Sequence, residues 1–181
     1  MTSRTFFSLL LTISFLISCR PSADEKEKSK PIQQNAQELK DALIEQNRQL
    51  ISEEIELIDA YEARYGLALD TTSTGLRYKI LEKTNGREVR LMKDVTLSYT
   101  ASLLNGDLCY SSDSTGVLSF TIGQSNQPSG LQEGLLKMKE GERAIFIVPS
   151  YLAYGITGDG ICIPGSTSIL YNVKLEKVSI Q

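Results

Sequence analysis

Residues Gly134 to Gly155 read GLLKMKEGERAIFIVPSYLAYG, and three textures follow one another within them. Leu131, Leu135, Leu136 and Met138 carry the only helical spacing in this half of the chain, and Gly141 stops it. "RAIFIVP", Arg143–Pro149, reads as a strand. The residues that follow, "SYLAYGITGDGICIPGS" from Ser150 to Ser166, hold two tyrosines and four glycines. They are too rich in glycine for a helix and too apolar for an ordinary solvated loop.

Outward from this stretch, the chain from Leu76 onward is a series of short β-rich pieces. "GLRYKIL" alternates, Asn85-Gly86 marks a turn, "VTLSYTASLL" is a strand, and Asn105-Gly106 is a hairpin signal. "LSFTIG" and "SILYNVKLEKVSI" supply further strands. The reading is an α+β domain over residues 72–181, an antiparallel sheet with one short helix covering its apolar face.

The first third has a different texture. Arg4 followed by the apolar run Phe6–Ser18 reads as an export signal over residues 1–18, too short for a membrane span. "LISC", Leu16–Cys19, resembles the lipobox of bacterial lipoproteins. That resemblance implies cleavage before Cys19, lipidation of its thiol, and attachment to a membrane of the cell envelope, on the periplasmic side or the cell surface. Residues 19–31 are charged and read as a flexible tether. Residues 32–66 read as one long helix, with Gly66 as its C-cap. Leu39, Leu43, Leu50 and Leu57 form one stripe on it, and Ile44, Ile51, Ile58 and Tyr65 a second. This broad apolar face fits either a stalk that pairs with a second copy or a helix packed on its own domain.

Composition removes many kinds of chemistry. There is no histidine, so His-based triads, acid–base pairs and most transition-metal sites are excluded. Neither a GxGxxG turn nor a GxxxxGK[ST] loop is present. With 19 Lys+Arg against 22 Asp+Glu and no long basic run, nucleic-acid binding has little electrostatic support. No cofactor or metal is expected, and any catalysis must run on shape, hydrogen bonds or carboxylates.

In order and spacing, "YTASLLNG", "FTIG", "GLLKMKEGE", "LAYG", "IPG" and the terminal "YNVKLEKV" resemble the FKBP-type peptidyl-prolyl isomerases over about Thr74 to Ile180. The resemblance implies a twisted antiparallel sheet wrapped around one short helix, here preceded by the long N-terminal helix. The implied activity is rotation about X-Pro bonds of proline-containing polypeptides. That rotation meets a barrier of about 20 kcal/mol because the amide must lose its partial double bond. The twisted amide has less charge separation than the planar one. An apolar cavity with a few placed donors therefore favours it without nucleophile or metal.

By the same resemblance, the glycine-rich stretch is a flap over an apolar pocket, with Gly155, Gly158, Gly160 and Gly165 supplying its turns. Tyr99 and Tyr154 match family tyrosines, and Tyr154 would donate to a substrate carbonyl. Tyr171 replaces a wall phenylalanine, Ile163 keeps an aliphatic, and Leu118 replaces an aromatic. Leu131 stands where most members have the tryptophan of the pocket floor, so the pocket should be deeper or partly collapsed. Cys109-Tyr110 replaces a Phe-Asp pair, which removes a polar partner. Gln127-Pro128 replaces Val-Ile, whose second backbone N–H binds a ligand carbonyl, and proline has none. Once Cys19 carries lipid, Cys109 and Cys162 remain as an even pair in an oxidising compartment. The family fold puts both on the same side of the pocket, either as a disulfide stapling the flap or as two small buried hydrophobes. Two functions follow: an isomerase attenuated by these changes, or a non-catalytic polypeptide-binding or chaperone module on the same fold.

Overall fold

The computed structural model describes residues 23–179. The chain separates into two compact units, Met1–Ile44 and Glu45–Gln181. Helix α1 spans Ala23–Tyr65. It begins within the segment read as a tether, because the Glu- and Lys-rich residues there are good helix formers. The expected export signal and Cys19 lie outside the described residues.

Seven strands build one sheet: β1 (Asp70–Thr71), β2 (Arg77–Glu82), β3 (Asp94–Leu103), β4 (Leu108–Ser111), β5 (Leu118–Thr121), β6 (Arg143–Val148) and β7 (Ile169–Val178). Their order is β1-β2-β6-β7-β3-β4, with β5 also paired to β3, and every pairing is antiparallel. A four-residue helix α2 (Ser112–Thr115) follows β4, and α3 (Ser129–Leu135) is the short covering helix.

Register sorts the side chains into two faces. One row across the sheet runs Tyr78, Phe146, Tyr171, Ala101, Tyr110. It belongs to the main core, which α3 caps with Leu131 and Leu135. α3 lies close on β6 because it carries two glycines. A Cβ on Gly134 would stand 2.8 Å from the Phe146 ring, and one on Gly130 would collide with Val148. The adjacent row, Arg77, Ile147, Leu170, Ser102, points the other way.

That second face is covered by the C-terminal part of α1. Ile58, 1% exposed, packs with Ile145, Ile147 and Leu170, and Tyr61, Leu67 and Leu69 close the edge of the cluster. Arg77 on β2 donates to Asp59 at 2.6 Å. Residues 45–65 therefore belong to the compact unit that holds the sheet. The physical reason lies in β6. Residues Ala144–Val148 are buried on both faces, so the outward-facing Ile145 and Ile147 need a partner, which α1 supplies.

The "KMKEGE" turn is held by its own last residue. Glu142 is buried, its carboxylate accepts from the Lys139 N–H at 2.8 Å, and Gly141 takes φ +88°. This turn delivers the chain into β6 and, beyond it, the tyrosine-bearing loop.

Candidate functional site

Strand β7 carries Tyr171 into the main core, β3 carries Tyr99, and β4 carries Cys109 and Tyr110. α3 presents Leu131, and the loop between β6 and β7 presents Tyr154 and Ile163. Leu118 on β5 packs against the same core. The Tyr99 and Tyr171 ring centroids are 6.3 Å apart. Leu131, Tyr171 and Ile163 are 1%, 2% and 2% exposed, so these side chains are closed off from solvent. Gln127 and Pro128 lead into α3, with the Gln127 carbonyl accepting from Gln132 Nε2 at 2.8 Å. Buried Pro128 has no N–H to offer.

The loop that bears Tyr154 is tightly folded. After β6 the chain makes a 3₁₀ turn, Ser150–Leu152, and the Ser150 carbonyl accepts from the N–H of both Ala153 and Gly155. Those two residues flank Tyr154. Further on, Asp159 N–H donates to Ile163 at 3.0 Å and Ser166 N–H donates to Gly155 at 2.8 Å. Two glycines make this crossing sterically feasible. A Cβ on Gly158 would strike the Ile163 carbonyl, and one on Gly165 the Ile156 carbonyl.

Cys109 and Cys162 are disulfide-bonded, with Cα atoms 5.5 Å apart across a sequence separation of 53. The bond ties the loop to β4.

Asp159 is the site residue that motif matching passed over. Its Oδ1 accepts from the N–H groups of Ile161, Cys162 and Ile163 at 2.8–2.9 Å. Its Oδ2 accepts from the Tyr110 hydroxyl. The loop thus supplies a carboxylate to the hydroxyl on β4. The available signal was local: an aspartate between two glycines, three residues before a cysteine, suits an Asx-type cradle.

The electrostatics follow from this cluster. Burial opposes the Asp159 charge, but the Tyr110 hydroxyl and the backbone N–H groups outweigh it and hold the carboxyl down at about 2. The same hydrogen bond, with burial and the Asp159 charge behind it, pushes the Tyr110 hydroxyl up to about 12. Burial first, then the charge of Asp159, raises Tyr154; burial followed by the neighbouring tyrosines raises Tyr171. All three hydroxyls stay protonated at neutral pH, with the Tyr110 proton given to Asp159. Among the described residues no cluster of His, Cys, Asp and Glu is suited to holding a metal.

Open grooves also lie on the surface of the described residues. One of about 550 Å³ is lined by Leu57, Tyr61 and Arg64 of α1, Leu103 and Leu104 of β3 and its turn, and Pro164. Another of about 390 Å³ is lined by Tyr99, Ser112, Arg143 and Asn172.

Comparison with known proteins agrees with this geometry. A sequence model described as FKBP-type peptidyl-prolyl cis-trans isomerase matches residues 85–176. A probable FKBP-type peptidyl-prolyl cis-trans isomerase FkpA of Neisseria meningitidis is 35% identical over 108 residues, covering 60% of this chain and 39% of that protein. An FK506-binding protein of the same species is 35% identical over 105 residues, covering 58% of this chain and 96% of that one. In fold, the chain is similar to the crystal structure of FkpA from Escherichia coli, with TM-score 0.63 and 24% identity over 88% of this chain and 74% of that one. AtFKBP13 gives TM-score 0.58 and 23% identity over 62% and 99% of the two chains. With the family model matched over residues 85–176, half of its length, the chain belongs to the FKBP-type peptidyl-prolyl cis-trans isomerases.

Proposed function

We propose that the chain rotates X-Pro bonds in proline-containing polypeptides, at a rate reduced by its closed site. The observation that carries this reading is the clustering of Tyr99, Tyr110, Tyr154 and Tyr171 against one apolar core, with the hydroxyls of Tyr110, Tyr154 and Tyr171 held protonated. In this reading Tyr154 donates to the substrate carbonyl. Tyr99, Leu118, Leu131, Ile163, Tyr171 and the Cys109–Cys162 bridge form the apolar wall that favours the twisted amide, and Gln127-Pro128 borders it. The test is prolyl-peptide exchange catalysed by the full chain. Tyr154→Phe removes one hydroxyl and keeps the ring, so kcat/KM should fall about tenfold, the equivalent of about 1.4 kcal/mol.

A second reading, a binding or chaperone module, is favoured by the closed floor at Leu131 and the missing N–H at Pro128. A wild-type rate equal to the uncatalysed one, with proline peptides still bound, selects it.

The same proposal places the protein in the cell envelope, held to a membrane through lipid on Cys19. "LISC" and the disulfide, which persists in oxidising compartments, support this placement. No helix among the described residues is long and apolar enough to cross a membrane. Self-association through the 32–66 helix is part of the reading too, supported by exposed Leu39, Leu43 and Ile44. Sedimentation as a monomer at every concentration would remove that part.

A further inference from the structure

Glu54 is the feature that the fold and the site leave unexplained. It lies on α1, is 7% exposed, and makes no ion pair among the described residues. A buried carboxylate without a cation is costly unless hydrogen bonds replace the lost water. Here three do. Oε1 accepts from the Ser150 N–H at 2.7 Å and from Ser168 Oγ at 2.5 Å, and Oε2 accepts from Ser150 Oγ at 2.8 Å.

These donors stand at the two roots of the tyrosine-bearing loop. Ser150 opens it, with one residue between it and β6, and Ser168 closes it, directly before β7. The link continues inward. The peptide whose N–H binds Glu54 belongs to the residue whose carbonyl accepts from Ala153 and Gly155 at 2.9 and 2.8 Å, on either side of Tyr154. One carboxylate therefore joins α1, both loop roots and the backbone that aims the Tyr154 hydroxyl.

We propose that Glu54 is a positioning residue of the isomerase site, clamping both roots of the Ser150–Ser168 loop so that docking of α1 is a condition for a correctly aimed Tyr154. The clamp's effect on rate rests on the isomerase reading, whereas its effect on the loop does not. Small displacements of a donor from its working geometry cost large factors in rate. The contribution should therefore appear in kcat more than in KM, because Glu54 touches no substrate.

The experiment measures prolyl-peptide exchange and amide hydrogen exchange on the full chain carrying Glu54→Ala or Glu54→Gln. Val95→Ala, a core truncation in β3 that leaves the clamp intact, serves as a control of lowered stability. At matched stability, Glu54→Ala should speed amide exchange in residues 150–168 at least tenfold and lower kcat several-fold. Strands β3 and β7 should exchange as in the control. Glu54→Gln keeps one acceptor and should fall between wild type and Ala, and it carries the test if the Ala variant does not fold. Loop exchange no faster than in Val95→Ala overturns the proposal. If the wild type shows no isomerase activity, the isomerase reading falls, and loop exchange alone still decides whether the clamp exists.

Discussion

The two faces of the sheet are stabilised in different ways. The face toward α3 is closed by apolar packing around Phe146 and Tyr171 and tightened by a disulfide and by Asp159. The face toward α1 has a small apolar patch around Ile58 and depends on polar ties, Glu54 to the serines and Arg77 to Asp59. The first needs only the sheet and its own loops. The second borrows a helix from the far end of the sequence. The difference teaches that the loop over the tyrosines is held from both sides: by Cys109 on β4 at its tip and by Glu54 on α1 at its roots.

Removing the helix is the severest way to break this comparison. A chain beginning at Gly66 loses Ile58, Glu54 and Asp59 together and exposes Ile145, Ile147 and Leu170 to water. Burial of Ile58 contributes about 2 kcal/mol, and each of the buried polar groups left unpaired costs about 1–3 kcal/mol. Relative to a chain beginning at Glu45, the loss should exceed about 5 kcal/mol in urea unfolding. Equal midpoints and slopes for the two would show that the second face does not need its cover.

How much of this was legible follows from the same contrast. The α3 face was readable because its features are local: "KMKEGE" is a self-closing turn, and "AYG" with the following glycines is a loop that only glycine permits. The antiparallel pairing of β3 with β4 followed from alternation and the Asn105-Gly106 turn. The docking of α1 was left open because amphipathic stripes do not say which surface they cover. The strongest clue was in β6, where "AIFIV" has no polar residue to face water, which a sheet open on one side would require. Asp159 was missed for another reason. Motif matching compares position with position, whereas the Asp159 carboxylate and the Tyr110 hydroxyl meet only in space, 49 residues apart in sequence. Glu54 interrupts the apolar stripes of α1, and no local pattern distinguishes a buried interruption from a solvated one.

Opening the disulfide is the next largest effect and acts on the first face alone. Closing a loop of 53 residues stabilises a fold by about 4 kcal/mol on the chain-entropy view, less whatever strain the native bond carries. Reductant, or Cys109→Ser with Cys162→Ser, should lower stability by about 3 kcal/mol and speed amide exchange at Gly158–Ile163 while leaving α1 at residues 45–65 protected. Two reactive thiols per unfolded, non-reduced chain at positions 109 and 162 would refute the bond. Loss of α1 protection on reduction would show that the two faces do not act separately.

The smallest effect resolves a single bond within the first face. Tyr110→Phe removes the hydroxyl that Asp159 Oδ2 accepts from and leaves the three backbone N–H donors on Oδ1. Because the carboxylate keeps those partners, the cost at neutral pH should be about 1 kcal/mol. Its pH dependence has a fixed sign. The folded carboxyl sits at about 2, below its ordinary 3.8 in the unfolded chain, so its contribution is complete above about pH 4 and is lost as pH falls through about 2. The phenol moves the opposite way, from 10.0 to about 12, so its share holds below pH 10 and disappears as pH rises through about 12. Stability of wild type and Tyr110→Phe should therefore run parallel from about pH 5 to pH 9. The two curves should converge as pH falls through about 2, where Asp159 becomes protonated in both. A gap that persists undiminished at pH 2 would mean that ring packing, and not the charged hydrogen bond, accounts for the difference.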